Sequence, residues 1–137
     1  IHGLREMGVD ECWVVSRNPE RVKNDLPINL ISYDEWVNHA FDVDLIVNTT
    51  PLGMQPNIEQ SPVDAQFAEF LADSICYDIL YNPQNTTFLR QAAKYNCTTI
   101  GGLPMLIYQA ARSFELWTDN TFPMSKIKEH LAHVFPS

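Results

Sequence analysis

"SICYDILYNPQNTTFLRQAAKYNCTTIGG", residues 74–102, reads as a complete strand–helix–strand unit. Residues 74–81 form a short apolar run, the signature of a buried strand. Asn82 and Pro83 then mark a turn. The following helix has two candidate caps, Asn85 and Thr86, whose side-chain oxygens could accept from the first free N–H groups. "CTTIGG" is a second strand that ends in glycines. Two strands joined through a helix are expected to run parallel, because parallel neighbours need a long crossover, usually a helix.

The same alternation extends outward from this unit. Upstream lie a strand at Cys12–Val15, expected to be buried, a short helix in "NPERVKND" with Asn18 as cap and Pro19 at its first position, and a strand in "INLISY". A helix in "DEWVNHAF" capped by Ser32 or Asp34 follows, then a strand in "VDLIVNTTP" with Leu45, Ile46 and Val47 as its core. Residues 55–63 read as a loop and "DAQFAEFLAD" as a helix. Downstream, residues 101–117 form a helix with an apolar face of Leu103, Ile107, Ala110, Ala111 and Phe114. A last helix in "PMSKIKEHLAHVF" carries Ile127, Leu131 and Val134 as its stripe. Five strands alternating with helices through short connections predict an α/β domain, doubly wound, with a mainly parallel sheet. Ligands collect outside the carboxyl ends of such strands. No repeat is present, and only residues 118–123 resemble a linker.

The opening residues fit the end of a helix, with Gly8 just past its last turn. Nothing before "LREMG" offers a helix cap, so the chain reads as starting inside an element, a piece of something longer truncated at its N-terminus.

The chain has 137 residues, 45% of them apolar and 19% charged, an ordinary globular composition. Nine basic residues against 17 acidic give a net charge of −8, which argues against nucleic acid or an anionic membrane as the main partner. No apolar run is long enough to span a bilayer. Cys12, Cys76 and Cys97 lie far apart in strand-like settings and read as buried free thiols of a reducing compartment, which suggests the cytoplasm. No cluster has metal-ligand spacing, no serine–histidine–acid triad can be drawn, and neither GxGxxG nor a P-loop occurs.

Four loops at strand ends therefore hold the chemistry. In "VVSRNPER", Arg17 and Arg21 could clamp a phosphate; they also read as two exposed arginines. "NTTPLGM" ends an apolar strand in Asn48, Thr49 and Thr50, with Gly53 allowing close backbone approach, or is simply a polar turn. In "YDILYNPQNT", Asp78 interrupts an apolar strand and needs a partner, while Tyr81 stands over the crevice or serves as a rim aromatic. Gly101 and Gly102 precede a helix whose backbone N–H groups could approach a ligand. On that helix Met105 and Gln109 share a face. A buried amide must be bonded, either to a ligand or to a neighbouring carbonyl.

Taken in order, these loops resemble the cofactor-binding carboxyl-terminal domain of shikimate dehydrogenases. "VVSRNPER" is similar to that family's Asn-Arg-Thr motif with a further basic residue, and "NTTPLGM" to its Asn-Ala-Thr-Pro-x-Gly-Met loop. "YDILYNPQNTTFL" resembles its Asp-x-x-Tyr-x-Pro-x-x-Thr-x-x-Leu segment. "GGLPMLIYQAARSFELWT" resembles its Gly-x-x-Met-Leu-x-x-Gln-Ala-x-x-x-Phe-x-x-Trp helix. The resemblance implies a Rossmann-like fold, NADP as cofactor, and reduction of 3-dehydroshikimate to shikimate. It implies that Ser16, Arg17, Asn18 and Arg21 hold the adenosine 2′-phosphate and that Thr50 lies along the cofactor. Ile79, Gly102 and Met105 would line the nicotinamide pocket, and Tyr81 and Gln109 would reach the substrate. It implies that residues 1–137 are part of the NADP-binding domain, with 104–137 packing toward a substrate-binding domain, and that the family's first strand and Gly-rich loop fall before Ile1, so that the chain alone is expected to be marginally stable or rescued as a homodimer. The family's catalytic Lys and Asp belong to that other domain, so no catalytic residue is expected here. Ser16 stands where Asn is usual, Asn18 where Thr is usual, and Asp119 where glycine often follows Trp-Thr. Two other readings stay open: a quinate/shikimate dehydrogenase with broader cofactor use, and a non-catalytic binding or regulatory module on the same fold.

Overall fold

In the computed structural model, the structure describes residues 1–23, 27–39 and 43–134, with side chains through 131. It divides into two compact units, Ile1–Asp42 and Val43–Ser137.

The first unit opens with helix α1 (His2–Glu6). Gly8, at φ +87°, closes it: its N–H donates to the Arg5 carbonyl at 3.0 Å and the Val9 N–H to the Leu4 carbonyl at 3.1 Å. Those two bonds satisfy carbonyls the helix leaves over, and a left-handed residue is needed to make them. Strands β1 (Trp13–Val15) and β2 (Asn29–Ile31) pair in parallel, Val15 level with Ile31. Between them, Pro19–Arg21 forms a 3-10 turn with Asn18 at its cap position and Pro19 at its start. A second 3-10 turn covers Trp36–Asn38. Neither Ser32 nor Asp34 caps it through a side chain: the cap position is Glu35, and the Ser32 N–H and hydroxyl both donate to the Glu35 carboxylate, at 2.9 and 2.7 Å. The first expected helix does not continue through Val22 and Lys23, where Val22 is extended, and its residues 24–25, like 40–41 of the second, lie outside the described residues. The strand expected to be buried is not, since none of the unit's described residues is buried.

The second unit holds β3 (Leu45–Asn48), β4 (Ile75–Asp78) and β5 (Thr98–Ile100), all parallel in the order β3-β4-β5. Helix α2 (Thr87–Ala92) links β4 to β5, and the Thr86 hydroxyl, rather than Asn85, accepts the Leu89 N–H. Ala65–Leu71, expected as an α-helix, is a 3-10 helix: Phe67 bonds back to Asp64 and Ala72 to Glu69, three residues each. It packs with α2, which also lies on β4 and β5. Their shared core is Leu71, Cys76, Phe88 and Ala92, all fully buried, flanked by Ala68, Leu89 and Val63. Of the three thiols only Cys76 is buried; Cys12 and Cys97 are half-buried, so the expectation of three core thiols is corrected.

Helix α3 (Leu103–Thr118) buries Ile107 and Ala111 and half-buries Leu103, Ala110 and Phe114, the face its spacing predicts. It ends at Asp119 in the left-handed conformation, φ +55°, which accounts for a glycine being common there in the similar family. Helix α4 (Met124–Val134) half-buries Ile127 and Leu131; the Val134 side chain lies outside the described ones. No described helix is long and apolar enough to cross a membrane.

Candidate functional site

In the first unit, Ser16, Arg17, Asn18 and Arg21 cluster at the carboxyl end of β1. The Ser16 N–H extends the sheet by donating to the Ile31 carbonyl at 2.9 Å, and its hydroxyl accepts the Asn18 N–H at 3.2 Å. This turn projects Arg17 into solvent. Arg21 is exposed as well, with its Nε 3.8 Å from Glu20, an ion pair that at the surface contributes little. Arg17 lies two residues past the end of β1 and Tyr33 two residues past the end of β2. Burial pushes the Tyr33 phenol up, and the Arg17 charge opposes that shift.

In the second unit the strand ends are tied by one buried polar network. β3 and β4 end level with each other in Asn48 and Asp78, each buried. The Asn48 amide donates to both Asp78 oxygens at 3.2 Å and to the Leu52 carbonyl at 3.3 Å. Its oxygen accepts the Thr50 N–H at 2.9 Å and the Thr50 hydroxyl at 2.7 Å. Asp78 further accepts the Leu80 N–H at 3.0 Å and the Thr86 hydroxyl at 2.7 Å. Every donor that reaches Asp78 here is neutral, and together they satisfy a group that would be costly to bury alone.

Gly53, at φ +102°, is buried in the chain itself. A Cβ there would lie 3.4 Å from both the Gln60 carbonyl oxygen and Thr86. The close approach that this glycine allows is therefore to the protein's own loop. Gly102 is tighter still, with a Cβ falling 2.1 Å from the Ile79 carbonyl oxygen. Its N–H donates to the Leu80 carbonyl at 2.9 Å, so it is not a free donor. Ile79 is half-buried behind this crossing, while Tyr81 and Met105 are exposed at 42% each. Gln109 is exposed and donates to the Leu106 carbonyl at 3.1 Å. The amide among apolar neighbours is thus on the outward side of α3, with its local carbonyl as partner. Thr50, Ile79, Tyr81, Gly102, Met105 and Gln109 all belong to this unit, and the network braces the first four through neighbouring backbone.

Residues 102–131 match the family model described as the Shikimate 5'-dehydrogenase C-terminal domain. The shikimate dehydrogenase (NADP(+)) of Crocosphaera subtropica is 36% identical over 142 residues, covering 96% of this chain and 49% of that protein. The chorismate mutase/shikimate 5-dehydrogenase fusion protein of Clostridium acetobutylicum superimposes with a TM-score of 0.87 at 35% identity, over 99% of this chain and 50% of that one. The chain belongs to the shikimate dehydrogenase family. The fold is accordingly the Rossmann-like α/β fold of that family. A shikimate 5-dehydrogenase from Thermus thermophilus, solved in complex with NADP(H) and shikimate, matches with a TM-score of 0.75 at 30% identity, over 92% of this chain and 46% of that one. The chain spans about half the length of the curated relatives it matches.

Asn48 and Thr86 were not foreseen as partners of Asp78 from the loops alone. The signal was present: two apolar runs, "LIV" and "ICY", each end in a polar residue, and parallel neighbours place such ends together.

Proposed function

We propose that this chain is the cofactor-binding part of an NADP-dependent shikimate dehydrogenase, which reduces 3-dehydroshikimate to shikimate. Arg17 carries the reading: β1 would correspond to the second strand of a dinucleotide fold, whose end faces the adenosine ribose, where arginine favours a 2′-phosphate and a carboxylate favours a free hydroxyl. Its exposure, beside Arg21 and the Ser16 hydroxyl, suits a dianionic phosphate.

The cofactor, when bound, supplies a hydride from nicotinamide C4 to the ketone carbon, and a general acid gives the proton to its oxygen. The residues of this chain bind and orient. Ser16, Arg17, Asn18 and Arg21 hold the 2′-phosphate, and Thr50 lies along the cofactor. Ile79, Gly102 and Met105 shape the nicotinamide pocket and exclude water from it. Tyr81 and Gln109 reach the substrate's hydroxyls; exposure of both supports that role. Residues 104–137 face a substrate-binding domain that supplies the proton-transfer pair.

Titration of the protein at its natural full length with NADPH and NADH tests this. NADPH should bind more tightly, and Arg17→Ala should weaken it about 10–100-fold, the worth of a charged hydrogen bond, with little change for NADH. Equal weakening of both cofactors, or no NADPH binding by the unaltered protein, overturns the reading. Tight NADPH binding without reduction of 3-dehydroshikimate marks a binding module instead.

A further inference from the structure

We propose that Asp78 is a positioning residue, whose carboxylate holds the Asn48–Thr50 turn and the Ile79–Tyr81 turn in one register so that the cofactor's central and nicotinamide portions meet a preformed wall. This rests on the function proposed above.

Asp78 is fully buried at the last position of β4 and touches no ligand-facing surface itself. It acts through others. Through Asn48 it fixes the N–H and hydroxyl of Thr50, and the Thr50 hydroxyl in turn accepts the Leu52 N–H at 3.2 Å. Through the Leu80 N–H it sets the turn between Ile79 and Tyr81, and the Leu80 carbonyl receives Gly102 at the start of α3. Through Thr86 it anchors the cap of α2. One side chain thus braces every element of the second unit that the proposed cofactor contacts involve. A fold needing only a polar plug at this point would be served by any satisfied group. Here each oxygen has its own donors, and an amide at position 78 would set one N–H against donors already aimed at it. Preformed walls raise affinity because less ordering is left to binding.

The test uses the isosteric substitution Asp78→Asn in the protein at its natural full length, with two ligands. NADPH carries both the adenosine 2′-phosphate proposed for Arg17 and the nicotinamide proposed for the second unit's residues, whereas adenosine 2′,5′-bisphosphate carries the former alone. Asp78→Asn should weaken NADPH about tenfold or more while leaving adenosine 2′,5′-bisphosphate within about twofold. Amide hydrogen exchange without ligand should quicken at Thr50, Leu52 and Leu80 and stay unchanged at Ile107 and Ala111. Thr86→Val, which removes one donor to Asp78 together with the cap acceptor of α2, should show the same split more weakly and serves if Asp78→Asn does not fold. Unchanged NADPH affinity, equal loss of both ligands, or exchange raised uniformly overturns the proposal. An unaltered protein that binds neither ligand overturns the reading of the site, and this proposal with it.

Discussion

Residues 1–42 and 43–137 are both parallel α/β segments, yet they are held in different ways. Among the described residues, every buried one lies in the second. Among its described residues the first is held by contacts at or near the surface: the closure of α1 at Gly8, the Ser32–Glu35 pair, the short β1–β2 ladder, the Asn29–Glu11 bond and the Trp13–His39 stack. The second has an apolar core with a polar network set into it. Local bonds contribute about 1 kcal/mol each, whereas a buried aromatic contributes several. The proposed phosphate grip thus sits on the lightly held segment, and the proposed nicotinamide wall on the strongly held one.

Phe88→Ala should break this contrast most severely. Phe88 is fully buried between α2 and the sheet. Truncating it leaves a cavity costing about 3–5 kcal/mol, read as faster hydrogen exchange across Ile75–Asp78 and a lower urea midpoint. A loss below about 1 kcal/mol would mean that the second unit has no real core.

Two glycine substitutions sharpen the comparison. At Gly102 an added Cβ meets backbone, so no rotamer change relieves it, and Gly102→Ala should cost about 3 kcal/mol. At Gly3, within α1, nothing lies within 4 Å, and alanine should stabilise that helix by about 0.5–1 kcal/mol. Thermal melts of both variants give the signs directly. The same sign for both would contradict the packing described.

The contrast also governs how much was legible. The β3–β4–β5 unit could be read because apolar runs, a proline turn and a helix cap coincided within 74–102. The Asn48–Asp78 pair could not be read so readily, because it joins residues 30 apart and depends on strand register. Ala65–Leu71 has a helical spacing of apolar residues, but Asp64 makes no side-chain cap bond and Ala72 is extended, leaving only three-residue bonds. Cys12–Val15 announced a strand correctly but not its exposure, because apolarity reports a preference for burial and not what covers the strand. At Gln109 the residue type suggested burial among apolar neighbours, whereas helical geometry turned it outward.

Cys76 and Glu35 give the two units opposite pH signatures. Burial pushes the Cys76 thiol up from 9.0 to about 11, with its neighbour Cys97 adding to the rise and the Ser74 hydroxyl opposing it. A raised thiol pKa favours the neutral form in the folded state. Its contribution is therefore complete below pH 9 and lost as pH climbs toward 11. The second unit should lose up to about 2 kcal/mol over that window, and Cys76→Ala should flatten this part of the alkaline limb. A limb unchanged in the variant would remove Cys76 as its source.

The smallest effect belongs to the first unit and has the other sign. The Ser32 hydroxyl and N–H hold the Glu35 carboxyl below its ordinary value of 4.5, against a small opposing push from desolvation. A lowered carboxyl pKa means stability that is present above 4.5 and lost as pH falls through the folded value. Because Glu35 is exposed, the change should stay local to the turn at 32–38 and leave the global melt unmoved. The Ser32 amide resonance should titrate with a midpoint under 4.5, and Glu35→Gln should abolish that titration. A midpoint at or above 4.5 would show that the Ser32–Glu35 bonds do not persist in solution. The turn carrying Tyr33, whose phenol the Arg17 charge acts on, would then lack its brace, and the grip proposed for the phosphate would have to be formed by binding itself.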